Sequence, residues 1–322
     1  MTSGPDTSFE SEYHAPVLAG EVVDFLANAK SVLDGTLGGG GHSAALFGAG
    51  VPAVIGVDHD PEALAAATKR LDLYAKAGRF RAVQGNYADA ADGSIPELRH
   101  AVFDGVLLDL GVSSRQLDVL ERGFTFREKA PLDMRMNPGN PDAPTAGEVL
   151  NREDESELTR IFKEYGDEPP PRARRLARQI IRRRETSAFA TSDDLVRAIR
   201  GALGPRTGPP DFARLFQAVR IAVNDELDGL RRALPAFRDR LTPGGVIVVI
   251  AYHSGEDRVV KHAFRDWSTG CVCPPRQPIC TCDGRAMGTV LTKRAVVPGP
   301  REISGNPRAR SAKLRAWRKD DA

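Results

Sequence analysis

Cysteine is scarce in this 322-residue chain: there are four, and all lie between Cys271 and Cys282. A secreted fold stapled by disulfides needs them distributed, so that class does not fit. Long hydrophobic runs are missing too. The longest, Val246 to Ala251, falls far short of the length that spans a bilayer. The N-terminal stretch Met1–Tyr13 is polar and acidic and lacks the basic-then-apolar order of a secretion signal. An excess of one charge is also absent, since 45 Lys and Arg against 43 Asp and Glu leave a formal +2. A nucleic-acid surface, if one exists, must therefore be local. These absences point to a cytoplasmic protein that makes no membrane contact.

What remains is ordinary globular material, 41% hydrophobic and 27% charged, and long enough for about two domains. In the first third, β-branched apolar runs alternate with helical patterns. Ser31–Asp34, Ala53–Asp58, Phe80–Asn86 and Phe103–Leu110 read as short buried strands. Pro61–Leu71, with proline at its start, reads as a helix. Alternation of this kind implies an α/β fold with a mostly parallel sheet and helices on both faces.

The pattern breaks after Gln116. A proline-rich loop leads to three helical segments without strands. Asn151 is placed to cap the first, which carries the stripe Leu158, Ile161, Phe162 and Tyr165. The second buries Ala173, Leu176, Ala177, Ile180 and Ile181, and Thr191 caps the third. A linker at Gly204–Pro210 precedes a long helix, Phe212 to Leu230, and another buried strand over Gly244–Ser254. The chain therefore divides into a core of 13–116 and 211–322, with a helical insert at 117–210.

Four strand ends carry candidate chemistry. The run Asp34-Gly35-Thr36-Leu37-Gly38-Gly39-Gly40-Gly41-His42-Ser43 follows a strand and opens a helix, where backbone can approach a ligand closely. Two cofactors could use it. A dinucleotide fingerprint starting at Gly38 would want glycine or alanine at Ser43, and S-adenosylmethionine has no such requirement. Asp58 ends the next strand, some 20 residues on, where a carboxylate meets ribose hydroxyls, and Asp60 is placed to cap the helix at Pro61. Tyr87 follows the third strand and offers an aromatic face. Asp109 ends the fourth, where a buried carboxylate without a partner would be costly. An acceptor there, either Asp109 or a nearby carbonyl, could draw on an amine N–H and localise the lone pair for methyl transfer.

Seven arginines, Arg172, Arg174, Arg175, Arg178, Arg182, Arg183 and Arg184, lie off the apolar stripe of the second insert helix. They form a basic face suited to RNA phosphates. Arg308, Arg310, Lys313, Arg315, Arg318 and Lys319 form a second basic region, in which Lys313–Trp317 alternates like a strand. Cys271, Cys273, Cys280 and Cys282 suggest a structural tetrahedral thiolate metal site, zinc first, although two disulfides or four free thiols would have the same sequence.

Taken together, these residues resemble the RsmH (MraW) family of bacterial N4-cytidine methyltransferases. The resemblance runs from His14-Ala15-Pro16-Val17-Leu18 through Asp109-Leu110-Gly111-Val112-Ser113-Ser114 to Arg122-Gly123-Phe124 and Leu132-Asp133-Met134-Arg135-Met136. It continues over Tyr165-Gly166-Asp167-Glu168, Phe216-Gln217-Ala218-Val219-Arg220-Ile221 and Asn306-Pro307-Arg308-Ala309-Arg310-Ser311, in order along nearly the whole chain. It implies a class I S-adenosylmethionine-dependent methyltransferase with an inserted RNA-recognition domain. The implied reaction is methylation of a cytidine N4 amine in the decoding centre of 16S ribosomal RNA. By position, Gly40, Gly41, His42, Asp58, Tyr87, Asp109 and Gln116 would contact S-adenosylmethionine, with Asp109 also catalytic. One departure is Gly255, where relatives usually carry leucine, a change expected to remove an apolar contact and loosen a loop beside the site.

Overall fold

The computed structural model describes residues 16–270, 273 and 284–321. Seven strands form one sheet: β1 (Ser31–Asp34), β2 (Ala53–Asp58), β3 (Phe80–Gln84), β4 (Phe103–Asp109), β5 (Leu241–Ala251), β6 (Gly288–Val290) and β7 (Lys313–Lys319). Their order is β3-β2-β1-β4-β5-β7-β6. The first five run parallel, whereas β7 pairs antiparallel with both β5 and β6. A doubly wound dinucleotide fold has the all-parallel order 3-2-1-4-5-6, so the reversed β7 between β5 and β6 sets this sheet apart.

The apolar runs that announced these strands are buried on both sides, as parallel strands between helices must be. Leu33, Val106, Leu108, Ile247 and Val249 pack into one cluster. Their alternates Val32, Leu107, Val248 and Ile250 pack into another with Leu314 and Ala316. Successive side chains thus feed the two faces in turn.

The chain forms two compact units, one of 1–111 with 227–322, the other of 112–226. The second is helical, with helices at Ala146–Arg152, Glu155–Arg160, Pro170–Arg184, Ser192–Leu203 and Pro209–Val223. Its core reaches further along the chain than 210, because Phe212, Leu215, Phe216, Val219 and Val223 are buried within it. The expected helix Phe212–Leu230 is in fact two, Pro209–Val223 and Glu226–Arg240. Asn224 and Asp225 break it. Asp225 adopts a left-handed φ of 50°, and the Asn224 side chain accepts the Met136 amide and donates to the Met134 carbonyl, both at 2.8 Å.

Several element ends differ from the sequence expectation for local reasons. Asn151 caps nothing: it lies inside Ala146–Arg152, which Thr145 caps through a reciprocal box with Glu148. Its side chain is used instead to hold both backbone groups of Phe189. Asp154 caps the following helix by accepting the Glu157 amide. Strand β3 stops at Gln84 because Asn86 leaves the sheet to cap Tyr87–Asp92, accepting the Ala88 amide at 2.9 Å. Strand β5 runs Leu241–Ala251, since His253 caps the helix Ser254–Trp267. Asp60 and Thr191 are helix N-caps as expected.

Candidate functional site

In open α/β sheets, ligands meet the carboxyl ends of the strands where the strand order reverses, here between β1 and β4. The loop after β1 is stitched across that point. Gly35 N–H donates to the Leu107 carbonyl of β4, and Leu37 N–H to the Val57 carbonyl of β2. Gly38 N–H donates to Asp58 Oδ2 at 2.8 Å. From β4, the Asp109 N–H donates to Thr36 Oγ1 at 2.6 Å. The loop is thereby fixed by both flanking strands before any ligand is considered.

Two of its glycines answer steric demands. Gly40 has a φ of 74° and caps the helix Gly41–Gly48, and a β-carbon there would stand 3.2 Å from Ala67 and Leu71. Gly41 packs against the Pro16 ring. Tyr87 is brought to the same place, its β-carbon lying 3.2 Å from where a Gly35 side chain would begin.

A chain of polar groups crosses the switch point. His42 Nε2 lies 3.3 Å from Asp109 Oδ2, and the Tyr252 hydroxyl donates to Asp109 Oδ1 at 2.9 Å. Ser43 Oγ donates to Asp34 Oδ2 at 2.7 Å. Asp34 is 1% exposed and His42 6%. Burial pushes the Asp34 carboxyl up to about 6, against the lowering effects of His42, Ser43 and the Thr36 amide. Burial pulls His42 down, but its bond to Asp109 and the charges of Asp109 and Asp34 outweigh it and raise the imidazole net. Burial, with the Asp109 charge, holds the Tyr252 phenol well above its ordinary value. The Nδ1 atom of His42 is buried and makes no hydrogen bond among the described residues.

Beyond β5, Glu256 is 2% exposed and one oxygen accepts both the Tyr252 amide at 2.8 Å and the His253 amide at 3.2 Å. Its other oxygen lies 3.2 Å from His253 Nε2, while Nδ1 of that ring accepts the Gly255 and Glu256 amides. Gly255 therefore sits in a pinned first helical turn, not in a loop. A β-carbon there would lie 3.1 Å from the His253 ring and 3.2 Å from Leu227.

Gly40, Gly41, His42, Asp58, Tyr87 and Asp109 thus belong to the α/β unit, along the ends of four strands. Gln116 belongs to the helical unit, where its side-chain oxygen accepts the Ser113 amide at 2.9 Å. Sequence reasoning missed Asp34, Thr36, Ser43, Tyr252 and Glu256 as members of the polar network. Tyr252 had a signal: it immediately follows a buried strand, the same position that singled out Asp109.

The arginine helix is less uniform than its sequence suggests. Arg172 pairs with the buried Glu168 at 2.8 Å, Arg178 pairs with Glu155 at 2.7 Å, and Arg184 donates to the Leu150 and Glu153 carbonyls. Compensating acids thus arrive from neighbouring elements, which a scan for acids along the helix itself does not detect. Among the described residues, Arg182 bonds only the neutral Gln179, and Arg174, Arg175 and Arg183 pair with no acid. In the second basic region, Lys313 and Arg315 face Asp257, and Lys319 donates to two carbonyls. Of the four cysteines, Cys271, Cys280 and Cys282 lie outside the described residues, and so does the metal question they raise.

Residues 11–320 match the model of the MraW methylase family. The chain belongs to that family. It is a methyltransferase of the class I α/β type, with S-adenosylmethionine as methyl donor. Ribosomal RNA small subunit methyltransferase H of Gemmatimonas aurantiaca is 61% identical over 306 residues, covering 95% of each chain. The protein of that name in Heliobacterium mobile is 45% identical over 316 residues, covering 95% of this chain and 99% of its own. Among solved structures, an rRNA methylase from Streptococcus thermophilus aligns over 94% of this chain and 93% of its own, at 11% identity and a TM-score of 0.40. No helix among the described residues is long and apolar enough to cross a membrane.

Proposed function

We propose that this methyltransferase acts on the exocyclic N4 amine of a cytidine in the decoding centre of 16S ribosomal RNA. The observation that carries the reading is the Asp109 carboxylate, held at the end of β4 with a donor on each oxygen and 23% of its side chain still exposed. Relatives named for small-subunit ribosomal RNA support the substrate class.

The residues present fit the donor. Asp58 keeps acceptor capacity for ribose hydroxyls beyond its bond to Gly38, Tyr87 offers a ring face, and the buried His42 Nδ1 has no hydrogen-bond partner among the described residues. Gly40 and Gly41 complete the proposed cofactor set. When bound, the cofactor supplies an electrophilic methyl on a sulfonium. Asp109 accepts a hydrogen bond from the amine, which localises the nitrogen lone pair. N–C bond formation would be matched by breakage of the donor's S–C bond, whose electron pair goes to sulfur as a neutral thioether, while the nitrogen gives up one proton and Asp109 takes it. The helical unit, through Arg174, Arg175, Arg182 and Arg183, holds RNA phosphates.

The test is transfer of tritium from labelled S-adenosylmethionine to small subunits that lack the modification, followed by mapping of the labelled nucleoside. Label on a cytidine N4 is expected. Label confined to another base or to protein rejects the reading. Asp109→Asn should lower kcat at saturating cofactor by roughly 100-fold or more, the scale of a lost general base.

A further inference from the structure

Resting on that reading, we propose that Tyr252 is a positioning residue for methyl transfer: its hydroxyl and the His42 ring clamp the two oxygens of Asp109 and fix the carboxylate toward the amine.

A carboxylate turns about a soft terminal torsion with broad, two-fold preference. A single donor leaves it free to swing about that one contact. Here Tyr252 takes Oδ1 at 2.9 Å and His42 takes Oδ2 at 3.3 Å, while Thr36 Oγ1 accepts the Asp109 amide at 2.6 Å. Backbone and both oxygens are constrained together. An ionised carboxylate has about four lone-pair sites, so two donors leave roughly two for an incoming N–H and its proton.

Tyr252 is itself anchored from behind. Glu256 accepts its amide at 2.8 Å, and the Tyr252 ring lies 3.6 Å from where a Gly111 side chain would begin. Burying a carboxylate as fully as Glu256 is expensive, and a surface cap would serve a helix end as well. Glu256 is explained if the residue whose amide it holds must not move. The groups facing the cluster are Asp34 from β1, Asp109 from β4, Glu256 from the helix after β5, and Glu302 from Pro300–Gly305. Against these carboxylates the phenol keeps its proton, so Tyr252 is a fixed donor and not a shuttle.

The test compares wild type with Tyr252→Phe, which keeps the ring and removes only the hydroxyl. Cofactor affinity is read by calorimetry, and kcat and KM on unmodified small subunits are read at saturating cofactor. Rates are normalised to cofactor-binding sites, so partial unfolding does not mimic lost chemistry. We expect cofactor affinity within about 2-fold of wild type and kcat lower by roughly 10- to 100-fold, the range of a bond to a charged group. The loss should fall on kcat alone, with KM for small subunits within about 2-fold of wild type, because the aim of the carboxylate is lost while substrate binding is untouched. A merely structural tyrosine would move KM or cofactor affinity along with kcat. Wild-type kcat overturns the inference and leaves the reading of the enzyme intact, as does a rate loss explained wholly by KM or cofactor affinity. Wild-type enzyme that binds the cofactor yet transfers no methyl to small subunits sinks both.

Discussion

Ser43 and Asp34 face each other across the glycine loop, joined by a 2.7 Å hydrogen bond, with Ser43 fully buried and Asp34 1% exposed. Burial raises the Asp34 carboxyl from 3.8 to about 6. The folded state therefore binds this proton more tightly than the unfolded chain. Between those two values rising pH costs stability, and above about 6 the full cost, on the order of 3 kcal/mol, is in place. Asp34→Asn removes the titration and keeps an acceptor for Ser43. Its stability relative to wild type should climb between about pH 4 and 6 and then level off, as read from denaturant unfolding at each pH. A pH-independent difference would mean that Asp34 titrates normally.

Asp58 serves the loop as well as any ligand, since it accepts both the Gly38 amide at 2.8 Å and the Asp60 amide at 2.9 Å. Asp58→Ala should therefore lower the melting temperature of the protein without cofactor, in addition to weakening S-adenosylmethionine by roughly 1–3 kcal/mol. Thermal unfolding with and without cofactor separates the two effects. Weaker binding with an unchanged melting temperature would show that the Gly38 bond contributes nothing.

Arginines on one helix should divide by partner. Arg184→Ala, which strips donors from the Leu150 and Glu153 carbonyls, should cost roughly 1–3 kcal/mol of stability. Replacing Arg174, Arg175 and Arg183 with Gln should leave stability within about 0.5 kcal/mol. The same triple change should flatten the salt dependence of RNA binding by about 2–3 in log–log slope. An unchanged slope would make this face a solvated surface only.

Gly123 and Gly50 share a left-handed backbone and differ in surroundings. At Gly123 a β-carbon would sit 2.3 Å from the Pro131 carbonyl oxygen, whereas at Gly50 it meets nothing within 4 Å. Gly50→Ala should cost roughly 1–2 kcal/mol, the left-handed penalty alone. Gly123→Ala should cost more than about 4 kcal/mol or prevent folding, because backbone must move. Equal melting temperatures for the two variants would contradict the packing at Gly123.

The strands of the sheet were legible because fully buried parallel strands write continuous apolar runs, and the motif ends Asp58 and Asp109 followed from them. Helix junctions were less so. The break at Asn224 depends on Met134 and Met136, which lie about ninety positions earlier, and no local pattern carries that. Asn151 looks like a cap by residue type, yet Thr145 with Glu148 makes the stronger one six residues before it. The polar network was hidden for the same reason. Tyr252 and Asp109 meet only because β5 lies beside β4, and sequence shows each as a solitary strand end.

Insertion of residues 112–226 between β4 and the return to the sheet has a consequence for synthesis. Phe103 finds its strand partner at Leu241, and Asp109 meets Tyr252, 143 positions after itself. At about 5–20 residues per second, β4 leaves the ribosome roughly 7–28 seconds before β5 can pair with it. Throughout that interval a strand whose Val106, Leu107 and Leu108 end fully buried keeps one hydrogen-bonding edge open. Newborn chains of this architecture thus carry a sticky, half-built sheet for roughly two-fifths of a translation cycle, and their solubility at that stage rests on what occupies the edge until the last quarter of the message is read.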